Sequence, residues 1–297
     1  MTFSVTTIQQ LIEIFPYAVL GSILAGIVCA FLGVFVVSQR VVFLGAALTQ
    51  VSIAGVAFSF LHIINIEGFV DNQLGIEITQ NSFLHNIEPV FFSMLFAIVT
   101  VLIFSQSHKQ KLLTQDGMLG IVFVVAIAIR IMFIQKSPVA EVSEIESILK
   151  GDILFIGFKE FYTLLIIAAV IISLFIIFQK QLKFVAFDPE SSDAHGINSK
   201  IWLLIFYLVV GIGISLITRF VGDVFTFAYL IIPSTIGIML GKNVIKVFII
   251  ATSVGAILPP LSLLLAFKMD FSSGPMAVVT SFVLFLIVLG YKKWANR

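Results

Sequence analysis

The chain has 297 residues, 60% of them hydrophobic and only 11% charged, with a formal net charge of +1 and a mean hydropathy of +1.15. So much apolar surface, 31 Phe included, cannot be hidden in a soluble fold and excludes an ordinary soluble domain. The near-zero charge gives no polyanion signal and excludes nucleic acid as a partner, and the single cysteine, Cys29, excludes an internal disulfide.

The chain starts MTFSVTTIQQLIEIF, with no basic n-region, so no cleaved signal peptide is expected. A helix needs about 20 mostly apolar residues to cross the hydrocarbon core. The first window that long is 15–37, and Cys29 within it reads as a small packing residue.

The second window, 42–61, is the least apolar. The stretch RVVFLGAALTQVSIAGVAFSF, residues 40–60, is crowded with small and hydroxyl side chains and carries one amide, Gln50, near its middle. Gly45, Ala46, Gly55 and Ala57 are expected to let helices approach closely. Thr49, Ser52 and Ser59 are expected to bond carbonyls of their own helix. Gln50 has two readings, an interhelical hydrogen bond worth about 1 kcal/mol or a residue lining a path. The connection 62–88 holds Glu67, Asp71, Glu77, Glu88, His62 and His85 and no Lys or Arg, and reads as a solvated loop.

Windows three and four are 89–106 and 118–135, and Arg130 lies near one end of the latter, where it can snorkel. After an amphipathic segment, GDILFIG at 151–157 leads into window five, 161–179. The polar stretch KQLKFVAFDPESSDAHGINSK follows at 180–200. Pro189 suits a first helical turn, Asp188 its cap and Gly196 its end, which predicts a short helix over about 189–195. On chemistry alone an ordinary solvated loop fits as well.

Windows six and seven are 201–218 and 222–241. Asp223, at the edge of the seventh, is an acid near membrane depth and therefore a functional candidate. Arg219, four residues earlier, offers it an ion pair, and that pairing is the favoured reading. Pro233 frees a backbone carbonyl and can kink its helix. With Tyr229, Ser234 and Thr235 it marks a second path-lining candidate, a packing kink being the alternative. Pro259 and Pro260 are expected to interrupt window eight, 247–267, and MDFSSGPM at 269–276 precedes window nine, 274–291.

The expected fold is an all-α polytopic transmembrane bundle of about nine spans, eight being possible, forming a single domain over 1–297. Eleven of the 17 basic residues fall on one side of such a topology, which places the N-terminus outside and the C-terminus in the cytoplasm. No GxxxxGK[ST] loop occurs, so any ATP is bound by another chain and no cofactor is expected here.

FLGAALTQVSIAGVA at 43–57, GDILFIG, FDPESSDAHGI at 187–197, VGDVFTFAYLIIPST at 221–235 and MDFSSGPM occur in order along nearly the whole chain. The set resembles the membrane permeases of zinc and manganese ABC importers, the ABC-3 type. The resemblance implies an architecture related to the cobalamin-uptake permeases, a location in the bacterial cell (inner) membrane, and three partners: an ATP-binding subunit, an extracytoplasmic metal-binding protein, and a second permease copy or paralogue. It also implies that a loop at about 182–200 docks on the ATPase through Asp188, Pro189, Glu190 and Gly196. The cargo implied is a divalent metal ion: zinc, manganese or iron. In typical relatives the second span carries Asp and His at the positions of Ala46 and Gln50 here. Four residues apart, such a pair shares one helix face and suits a transition metal. This chain lacks both, so no metal ligand is assigned. Ala46, Thr49, Gln50, Tyr229 and Ser234 remain as path candidates, and a metal chelate or an uncharged nutrient is the alternative cargo. An ion-coupled secondary carrier is a further alternative, disfavoured by the scarcity of mid-depth acids.

Overall fold

The computed structural model describes residues 13–61, 87–107, 115–137, 153–187, 192 and 198–295. Among these, ten helices follow one another, with no strand. They are α1 (Pro16–Ser38), α2 (Val42–Ser59), α3 (Ile87–Ser107), α4 (Gln115–Lys136), α5 (Phe158–Ile177), α6 (Gln179–Phe187), α7 (Ser199–Val221), α8 (Asp223–Leu240), α9 (Val244–Met269) and α10 (Ser273–Ala295). All but the nine-residue α6 are long and apolar enough to cross a membrane, which makes nine candidate spans among the described residues. Each expected window coincides with one of them, its ends displaced by about one helical turn or less. The expected helix at 189–195, and with it Asp188, Pro189, Glu190 and Gly196, lies outside the described residues.

Local chemistry sets the helix ends. Pro16 occupies the first turn of α1, where no amide partner is needed. The Asn198 and Asn243 side chains accept from the Ile201 and Lys246 amides and cap α7 and α9. The Gly157 amide donates to Glu160 Oε2 at the start of α5. Gly222, at φ 81°, is the single residue between α7 and α8, and a side chain would strain that left-handed turn.

Helices α1 and α2 form the centre, with 67% and 78% of their apolar windows buried, whereas α4 has 11% buried and lies at the periphery. Around α1 stand α5, α8 and α9, and around α2 stand α3, α4, α7 and α8. An aromatic cluster joins α1 to α5, α7 and α9: Phe35 lies 4.7 Å from Phe175, 6.0 Å from Phe206 and 5.0 Å from Phe248, centroid to centroid. Small residues supply the close crossings, as expected for α2: a Cβ on Gly55 would come within 2.5 Å of the Phe92 carbonyl of α3.

One expectation about proline is corrected. Pro259 and Pro260 do not interrupt their span; α9 runs unbroken from Val244 to Met269. Pro233 lies inside α8, which continues through it. Both segments pack against neighbouring helices along their length, and those contacts hold a helix through a lost amide hydrogen bond. The hydroxyls need a finer account too. Thr49 and Ser59 do bond their own helix, at 2.9 and 2.7 Å to the Ala46 and Val56 carbonyls. Ser52 instead reaches Ser215 of α7, donating to its carbonyl at 3.2 Å and lying 3.0 Å from its hydroxyl. Ser93 of α3 lies 2.8 Å from the same hydroxyl, so three serines tie three helices together.

Two of the stretches that carried the family resemblance meet at one end of the bundle. The Ile153 amide, in the 3-10 turn Ile153–Phe155, donates to Ser273 Oγ of α10 at 3.3 Å. Ile156 packs on Gly21 of α1. GDILFIG and MDFSSGPM thus form one contact.

Candidate functional site

On α2 the residues at 46, 50, 53 and 57 share a face by their spacing of three and four. Ala46, Ile53 and Ala57 on that face are buried, and Gln50 is half-buried. The amide of Gln50 answers to two other helices at once. Its Nε2 donates to Asp223 Oδ2 of α8 at 2.8 Å, and its Oε1 accepts from Arg130 Nη1 of α4 at 2.7 Å. The same Nη1 stands 3.8 Å from Asp223 Oδ2, which closes a triangle of amide, guanidinium and carboxylate. The side chains of Arg130 and Asp223 are 19% and 13% exposed, so the pair is largely screened from solvent. The second Asp223 oxygen, Oδ1, accepts from the Val224 amide at 2.7 Å. A carboxylate in the first turn of α8 is also favoured by the partial positive charge of that helix end.

The height of this site follows from helix lengths. Gln50 is near the middle of the 18-residue α2, yet Asp223 is the first residue of α8. The start of α8 therefore reaches into the bundle to about the mid-level of α2. Arg130 approaches from six residues short of the end of α4. The apolar stem of an arginine can span such a gap while its head reaches polar atoms.

This geometry corrects two readings of the sequence. Among the described residues Asp223 pairs with Arg130, where the sequence favoured Arg219. Arg130 does not snorkel outward; it turns inward to α2. The signal was present, since Arg130 is the only basic residue in window four, and an ionisable side chain at membrane depth marks a polar interior. For Gln50 the interhelical hydrogen bond is realised, and doubly.

The other candidates are placed differently. Tyr229 is fully buried and stacks on Phe225 of its own helix, centroids 4.2 Å apart. Ser234, also buried, donates to the Ala30 carbonyl of α1 at 3.0 Å. Thr235 bonds the Ile231 carbonyl at 2.8 Å. Tyr229 and Ser234 thus sit in the packed core, and the structure does not bring them to Gln50. Among the described residues no group of three or more His, Cys, Asp or Glu side chains could hold a metal ion.

Comparison with known proteins covers nearly the whole chain. Residues 11–292 match the ABC 3 transport family. The manganese transport system membrane protein MntC of Listeria monocytogenes is 24% identical over 270 residues, covering 91% of this chain and 88% of that protein. The chelated iron transport system membrane protein YfeD of Yersinia pestis is 23% identical over 274 residues, covering 92% of this chain and 84% of that one. In fold the chain is similar to one in the structure of PsaBC from Streptococcus pneumoniae in complex with Fab, with a TM-score of 0.77 at 20% identity, covering 96% of this chain and 95% of that chain. With a match running from residue 11 to residue 292, this polytopic helical protein belongs to the ABC 3 transport family.

Proposed function

We propose that the chain is the membrane permease subunit of an ATP-driven importer of metal ions, manganese or iron foremost. The family match over residues 11–292 carries this reading, and relatives named for manganese and chelated-iron transport supply the cargo class. The chain is a transporter component and not a catalyst. In this reading it pairs with a second permease, receives cargo from an extracytoplasmic binding protein and couples to an ATP-binding subunit through FDPESSDAHGI at 187–197. The Lys/Arg asymmetry supports a cytoplasmic C-terminus and an outer 62–88 loop in the bacterial cell membrane.

The experiment is copurification of the permease from its native membrane with an ATP-binding subunit. Replacing Gly196 by Trp is expected to abolish that association and metal uptake while the permease still inserts in the membrane. Normal association and uptake in the Gly196→Trp variant would refute the coupling role. A permease that recruits no ATPase in its native form, yet transports, would be an ion-coupled carrier. The Asp223–Arg130 pair near the mid-level of α2 removes the objection that such a carrier would lack mid-depth charges; the family match is what argues against it. Uptake of metal as a chelate is a second reading. A guanidinium beside Gln50 favours it, because arginine suits anionic oxygens.

A further inference from the structure

We propose that Arg130 is a tethered cation occupying an oxygen-lined cation site built by Gln50 and Asp223, and that it thereby sets the permease against retaining a bare divalent ion at this level. The inference deepens the permease reading and concerns the same polar face of α2.

Two oxygens from two helices converge on one nitrogen. Gln50 Oε1 lies 2.7 Å and Asp223 Oδ2 3.8 Å from Arg130 Nη1. Gln50 orients the arrangement, since its Nε2 donates to the same Asp223 oxygen at 2.8 Å. A carboxylate and an amide oxygen are the donor types that manganese and other hard divalent ions take. Here the protein's own guanidinium meets them. Its charge compensates Asp223, which would otherwise stand largely screened and unpaired. A divalent ion at these oxygens would face that positive charge at close range, where two like charges repel strongly in a low-dielectric interior.

The guanidinium is not saturated by this role. Its Nε is buried and has no hydrogen-bond partner among the described residues. Arginine offers five donors in a fixed fork, so Arg130 keeps a donor that no oxygen of the described residues meets. A lysine at 130 would keep the charge without the fork.

Removing the guanidinium should unmask the site. The test uses the purified native permease in lipid nanodiscs with manganese(II) chloride as the probe, read by equilibrium dialysis. The native protein is expected to show no saturable binding below about 1 mM. Arg130→Gln is expected to bind one ion per chain at least roughly tenfold tighter, because a positive charge has left the ion's neighbourhood. Arg130→Met, which keeps most of the stem's packing, carries the same expectation should Arg130→Gln misfold. Arg130→Lys should stay like the native protein, and adding Asp223→Asn to Arg130→Gln should abolish the gain. Tight stoichiometric manganese binding by the native permease would overturn the proposal. So would a folded Arg130→Gln or Arg130→Met variant with no gain, or a gain equal in Arg130→Lys. None of these outcomes touches the permease reading, which stands or falls on copurification with the ATPase.

Discussion

Replacing Gly26 by leucine is expected to eliminate the folded permease. Helices α1 and α9 cross with Gly26 facing Gly255. A Cβ on Gly26 would collide with the Gly255 carbonyl oxygen and stand 2.7 Å from Pro259 Cγ, and a Cβ on Gly255 would lie 2.5 Å from the Gly26 carbonyl. The obstacle is backbone on both sides, so no rotamer change relieves it and the helix axes must separate. Overpacking a core costs about 1–3 kcal/mol and occasionally more, and a backbone collision at the central crossing belongs at or beyond the top of that range. Against a total stability of about 5–15 kcal/mol, Gly26→Ala should already lower the melting temperature clearly, and Gly26→Leu should yield aggregate on size exclusion. Gly290→Ala is the control, since a Cβ there meets nothing within 4 Å. A Gly26→Ala protein that melts with the native one would contradict this account of the crossing.

The second large effect concerns Asp223. Asp223→Ala leaves the Arg130 guanidinium, 19% exposed, without its counter-charge, and takes one partner from Gln50. Breaking a buried pair by removing one member costs about 3–5 kcal/mol; the residual exposure puts this site near the low end. Removing both charges, as Asp223→Ala with Arg130→Met, should cost less than Asp223→Ala alone, because no uncompensated charge is left behind. Thermal unfolding of the two single variants and the double one, in the same lipid, measures the coupling. Strict additivity would mean that the two side chains do not depend on each other, and the triangle would lose its significance.

Much of this fold was legible in one dimension. Among the described residues, the nine apolar windows became nine long helices because a backbone in hydrocarbon must satisfy its hydrogen bonds within the segment. The small residues of α2 announced close packing, and Gly55 against Phe92 shows it. The site was legible only in part. Gln50 stood out as the one amide in its span, whereas its partners were misassigned. Asp223 was matched to the nearest arginine in sequence, Arg219, and Arg130 was sent outward. Ser52 was given to its own helix when it belongs to Ser215.

Sequence alone thus determined the membrane environment, the approximate limits of the apolar segments and the family pattern, because each depends on the length and composition of a single segment. The tertiary structure decided which way each helix turns about its axis. In a bilayer the lipid-facing and protein-facing sides of a helix are both apolar, so periodicity does not encode that rotation. α4 is apolar nearly all round, and nothing in its own residues tells whether Arg130 meets headgroups or the amide of Gln50. The packing of α4 and α8 on α2 settles it, by bringing residues 50, 130 and 223 to one place where a charge in the interior finds its counter-charge.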